Sequence, residues 1–164
     1  MSSSQDKFQD NVDSITEIAD MTLDRKSVTS NVDVYIKSEN MLGVSLNTNT
    51  ITFEDFSGVE DMVKDNAINI TINSSLPYSL NAYIPTEILN SDKSNYMDLE
   101  IPSIKESTES NYQTFNNINE KLVLKDNNLA GNNLLHSISF KLKGGIAHEK
   151  DVYKTTIKFE AEQK

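Results

Sequence analysis

An all-β sandwich of seven or eight antiparallel strands is the fold this sequence predicts, and three observations predict it. Apolar and polar residues alternate in run after run, the signature of half-buried strands. Turn-forming Asn, Ser, Pro and Gly punctuate those runs at sandwich spacing. No strand–helix–strand alternation appears, so a parallel sheet is not expected. At 164 residues the chain has the usual size of one domain. That is enough to bury a core without a metal or disulfide staple.

Taken in order, the chain divides into a polar N-terminal extension, residues 1–26, and a β-sandwich domain, residues 27–164. In the extension, Phe8, Val12, Ile15 and Ala19 recur at helical spacing with Ile18 beside them. Met21 and Leu23 then alternate with Thr22 and Asp24, as in a strand. The extension therefore reads as a donor strand or a short amphipathic helix. The body opens with Val28, Ser30, Val32, Val34 and Ile36 alternating against Thr29, Asn31, Asp33, Tyr35 and Lys37. Val44 and Leu46 form a short second strand, and Ile51 with Phe53 follows the Asn47-Thr48-Asn49 turn. Residues 59–66 have room for one helical turn.

Ile68, Ile70 and Ile72 predict a strand with an inward face, and Asn69, Thr71 and Asn73 its outward face. Leu80, Ala82 and Ile84 make the next strand between Pro77 and Pro85, which proline tolerates only at its ends. Residues 86–119 predict short strands and long loops. Leu122-Val123-Leu124 reads as a buried strand, with turns at 126–128 and 131–133. At the end, His136, Ile138, Phe140 and Leu142 share one face. A Gly-containing loop leads to Tyr153, Thr155, Ile157, Phe159 and Ala161. This pair reads as an antiparallel hairpin.

Composition narrows the function. With 25 acidic and 15 basic residues the formal charge is −10. Nucleic acids demand a basic face, and no Lys/Arg cluster exists, so no nucleic-acid partner is expected. Lys141-Leu142-Lys143 reads as the solvent face of a strand. No apolar run is long enough for a membrane helix, so no membrane insertion is expected. The absence of cysteine excludes disulfides, thiolate metal sites and thiol nucleophiles. The polar start Met1-Ser2-Ser3-Ser4-Gln5-Asp6 lacks the apolar core of a signal peptide. Either the protein is cytosolic or a signal has been removed, and the expectation is the second, a secreted or cell-surface protein.

The residues of catalysis are sparse. His136 lies on an inward strand face, which favours a structural role. His148 stands in a polar loop beside Glu149 and Asp151, a trio suited to a metal but common in loops. No G-x-S-x-G elbow accompanies the two histidines. Glu54 and Asp55, between Phe53 and Phe56, come nearest to carboxylates in an apolar setting, yet read as a solvent-facing strand end. The calcium loop D-x-[DN]-x-[DN]-G is absent, and Asp126-Asn127-Asn128, Asp92 and Asp98 lack its spacing. The expectation is a protein that is not an enzyme and uses no cofactor or metal. Aromatic residues suited to stacking sugars are few, with exposed Tyr35 the exception.

Three stretches carry a resemblance. They are Val32-Asp33-Val34-Tyr35-Ile36 with residues 44–53, then residues 68–80, and finally residues 151–159. Together they resemble the secreted bacterial pilin-type sandwiches, particularly the spore coat U-like domains. This chain departs from that pattern in having no cysteines, with Leu46 near where one would stand, and in residues 86–119. The resemblance implies an immunoglobulin-like sandwich left incomplete by one strand. It further implies polymerisation by strand exchange, with the extension as donor and Ile15, Ile18, Met21 and Leu23 as groove-filling side chains. The function expected is a structural subunit of a bacterial surface appendage, filament or coat. Its partners would be copies of itself or related subunits. The alternative is a monomeric extracellular binding module for a glycan or a host-surface protein.

Overall fold

The computed structural model describes residues 14–21 and 24–164, and every pair of strands in it is antiparallel. The chain divides into two compact units, Met1–Glu39 and Asn40–Lys164. The first contains a hairpin of β1 (Ser14–Met21) and β2 (Asp24–Asn31), which pair along their whole lengths. Ser14–Met21 is thus extended, and the helical spacing of Ile15 and Ala19 makes no helix there. The alternating run read from 28 to 36 is a strand only as far as Asn31. Residues 32–41 belong to no regular element, and Tyr35 and Ile36 are 87% and 88% exposed.

The second unit is all-β among the described residues. Its strands are β3 (Leu42–Leu46), β4 (Met62–Ser74), β5 (Tyr78–Tyr83), β6 (Ile88–Asn90), β7 (Tyr96–Met97) and β8 (Pro102–Glu106). They continue with β9 (Gln113–Thr114), β10 (Leu122–Asn128), β11 (Gly131–Leu142), β12 (Tyr153–Lys154) and β13 (Lys158–Gln163). Three sheets result, in the orders β3-β4-β11-β8-β9, β10-β5-β13 and β12-β6-β7.

The first two sheets bury one core between them, in the manner of a sandwich. Ile68, Ile70 and Ile72 of β4, Ile104 of β8, and Ile138 and Phe140 of β11 meet Tyr78, Leu80 and Ala82 of β5 and Leu122 and Leu124 of β10. Ile68, Ile70, Ile72, Leu80, Ala82, Ile138 and Phe140 are inward positions the alternation marks, because side chains two residues apart lie on the same face of a strand; Val123, read as part of a buried strand, is 47% exposed. The small third sheet adds Ile88, with Met97 and Tyr153 packed at its margin. Phe115 and Ile101, from the irregular stretch 86–119, are fully buried.

Several expectations are corrected. The terminal hairpin does not form: β11 pairs with β4 and β8, whereas β12 pairs with β6 and β13 with β5. Alternation specifies which face is buried but not which strand lies alongside, and the loop after Leu142 carries the chain into other sheets. Residues 62–66 extend β4 in place of a helical turn. The turns read at 126–128 and 131–133 are instead irregularities within β10 and β11, where the ladder register shifts. Asn127 and Asn133 there have φ of 50° and 54°. Asn tolerates the left-handed region better than most residues, so it suits these bulges.

Candidate functional site

Two arrangements stand out in the Asn40–Lys164 unit. One is buried and polar, and the other is exposed and apolar.

The buried arrangement joins the two main sheets. Glu106 on β8, His136 on β11 and Tyr78 on β5 are 3%, 4% and 0% exposed. His136 Nδ1 lies 3.0 Å from Glu106 Oε2, and its Nε2 lies 2.5 Å from the Tyr78 hydroxyl. The Asn128 side-chain amide donates to that hydroxyl over 2.9 Å, and the Thr108 amide donates to Glu106 Oε1. Burial by itself would raise the Glu106 carboxyl. The Thr108 amide, the His136 ring and the Thr108 hydroxyl together outweigh that and hold it below the usual glutamate range. Burial raises the Tyr78 phenol, the Asn128 amide opposes this, and the Glu106 charge adds to it.

One arrangement of protons satisfies every member. Asn128 donates to Tyr78, Tyr78 donates to His136 Nε2, and His136 Nδ1–H donates to the Glu106 carboxylate. Polar groups taken out of water need such pairing. The chain of bonds runs from half-buried Asn128 through the core to exposed Thr108, and it ties β5 of one sheet to β8 and β11 of the other. His136 thus has the structural setting expected from its inward position.

The exposed arrangement lies at a sheet edge. At the β3 edge the larger sheet is left partly uncovered, although β13 of the smaller sheet approaches it. β3 is an outer strand of the larger sheet and β13 of the smaller, and each has a single ladder partner among the described residues. Leu42, Val44 and Leu46 pair with Ser74, Ile72 and Ile70. Residues directly opposite on antiparallel strands share a face, so these three share the inward face of β4. Yet they are 42%, 43% and 42% exposed. None belongs to the core or to the partly buried residues packed on it.

On the facing edge, Phe159 and Ala161 of β13 pair with Ala82 and Leu80 and are only partly buried. Gln163 ties the two edges together at one end, donating from Nε2 to the Met41 carbonyl over 2.8 Å. An aliphatic row and a free backbone edge therefore lie side by side. Sheet edges in that state accept an added strand, which satisfies a row of N–H and C=O groups and covers apolar side chains at once.

Of the residues read from the sequence as groove fillers, Ile15, Ile18 and Met21 lie in β1, opposite Ser30, Ser27 and Asp24 of β2. Leu23 lies outside the described residues. Glu54 and Asp55 are exposed, and Asp55 has φ 60°. His148 stacks on Phe56, ring centroids 5.4 Å apart and nearly parallel, with Tyr153 edge-on at 6.1 Å. Gly58 leaves room for that ring, since a Cβ there would come 2.8 Å from His148 Cε1. The loop thus uses His148 for packing. No group of three or more His, Asp or Glu suited to a metal occurs among the described residues. A shallow cleft of about 240 Å³ lies beside β7, with Tyr96, Asp98 and Glu100 in its wall.

Sequence reasoning missed two things. One is the Glu106 and Tyr78 partnership of His136, for which the inward parity of His136 was the available signal. The other is the partly uncovered edge at β3, for which no local signal exists. No protein-family model matches the chain, and no curated protein matches it.

Proposed function

We propose that this protein is a non-catalytic structural subunit of a bacterial surface appendage, filament or coat, assembling by strand addition between copies. One observation carries the reading: the half-exposed aliphatic row Leu42, Val44 and Leu46 beside the edge of β13, which has no ladder partner among the described residues. An immunoglobulin-like sandwich lacking one strand has this character, with one sheet edge left partly uncovered. Covering three half-exposed aliphatic side chains contributes roughly 1 kcal/mol each, before any gain from backbone pairing. Sheet edges left in this condition associate with other chains unless charge, proline or a covering element blocks them. β3 carries neither charge nor proline within Leu42–Leu46, whereas β13 carries Lys158, Glu160 and Glu162, so a strand added there must match those charges.

The N-terminal unit supplies the candidate donors. Ile15, Met21 and Leu23 share odd parity and Ile18 is even, so a continuous donor strand turns at most three of the four toward one groove.

Sedimentation velocity over a range of concentrations, with negative-stain microscopy, tests the reading. Concentration-dependent multimers or filaments are expected. A single monomeric species at every concentration would overturn it and favour a monomeric binding module.

A further inference from the structure

Resting on the strand-addition reading, we infer that the donor is the segment 32–37 of a second copy, entering beside β13 and covering β3. β1 is already hydrogen-bonded along one side to β2 over eight residue pairs. Residues 32–37 are strand-like in sequence but have no ladder partner among the described residues: they belong to no element, and Val34, Tyr35 and Ile36 are 60%, 87% and 88% exposed. An alternating run of β-branched residues exposed in this way is an unusual thing for a folded protein to leave uncovered.

The segment matches the gap in parity and in charge. Val32, Val34 and Ile36 fall on one face and Asp33, Tyr35 and Lys37 on the other. In β13, Phe159 and Ala161 face the core, whereas Lys158, Glu160 and Glu162 face outward. A parallel alignment that sets Tyr35 beside Glu160 brings Asp33 to Lys158 and Lys37 to Glu162, opposite charges at both places. The antiparallel alignment centred on the same pair brings Asp33 to Glu162 and Lys37 to Lys158, like charges at both. Like charges side by side on a sheet oppose pairing and opposite charges favour it. Parallel entry also turns Val34 and Ile36 inward beside Phe159 and Ala161, over the row of Leu42, Val44 and Leu46.

The absence of native cysteine makes the test direct. Protein bearing Tyr35→Cys is mixed with protein bearing Glu160→Cys and oxidised gently. Expected is a disulfide-linked dimer in the mixture, well above the level given by either variant alone. The double variant should give a ladder of linked multimers. Val34→Lys in the donor should reduce the linked dimer at least tenfold. Three outcomes would overturn the inference. If the double variant yields only internally linked monomer, the segment serves its own chain. If Ile18→Cys or Met21→Cys links to Glu160→Cys and Tyr35→Cys does not, strand addition stands with β1 as donor. If no pair links and the unmodified protein is monomeric, the strand-addition reading fails together with the donor assignment.

Discussion

At the scale of single residues, the Tyr78 hydroxyl links the two main sheets through His136. It bonds to His136 Nε2 and accepts from the half-buried Asn128 amide, so its removal leaves the buried His136 nitrogen without its partner. Tyr78→Phe should lower stability by about 1–3 kcal/mol, read as a shift in the urea midpoint at constant slope. Glu106 sets a pH dependence whose sign follows from its surroundings. Burial opposes its ionisation, but the Thr108 amide and the His136 ring prevail, so its folded-state titration lies below the ordinary 4.5. A carboxyl depressed on folding contributes stability above its unfolded value, and the contribution is lost as pH falls through the folded one. Urea midpoints measured from neutral pH downward should therefore fall below the ordinary carboxylate range. Glu106→Gln, which cannot titrate, should flatten part of that fall.

At the scale of elements, asparagine shapes the long strands. The ladder between β4 and β11 shifts register between Ile138 and Phe140, opposite Asn66, whose φ is 50°. The Asn66 amide donates to the Ser139 hydroxyl over 3.0 Å, so the bulge is satisfied by a side chain where the ladder lapses. A β-branched residue is strained in that conformation. Asn66→Val should cost about 1–2 kcal/mol in a denaturation experiment, and Asn66→Gly distinctly less. The strand pattern around these bulges was legible because each inward stretch keeps period two, as in Ile68, Ile70 and Ile72. The bulges themselves were not. Asp126-Asn127-Asn128 and Gly131-Asn132-Asn133 have turn composition, and the same left-handed tolerance serves a turn or a bulge equally.

At the scale of the whole Asn40–Lys164 unit, the partly uncovered β3 edge of the five-stranded sheet is the apolar surface on offer. Val44 lies on that edge and outside the core, so charging it removes little that holds the folded chain together. Val44→Lys should leave the urea midpoint within about 0.5 kcal/mol of the parent, as expected for a surface substitution. On the strand-addition proposal, the same variant should shift assembly to at least tenfold higher protein concentration in sedimentation velocity. A variant that assembles like the parent would argue that the β3 row is not covered in the assembly.

The sequence by itself determined that the described fold is antiparallel and β throughout, and which residues of β4, β5 and β11 face inward. Those properties are local: a period of two and a bounding proline or glycine suffice to specify them. Only the tertiary structure decided strand partners. β11 and β13 have the pattern of a hairpin yet lie in different sheets, because a buried face is satisfied by any apolar layer that covers it. It also decided two arrangements that no single stretch specifies. Glu106, His136 and Tyr78 are far apart in the chain and meet only when the two sheets close over them. The exposed row of β3 has the composition of a core strand, yet it stays half exposed at the sheet edge. Whether an apolar strand is core or edge depends on what lies opposite it, which no stretch of its own residues encodes.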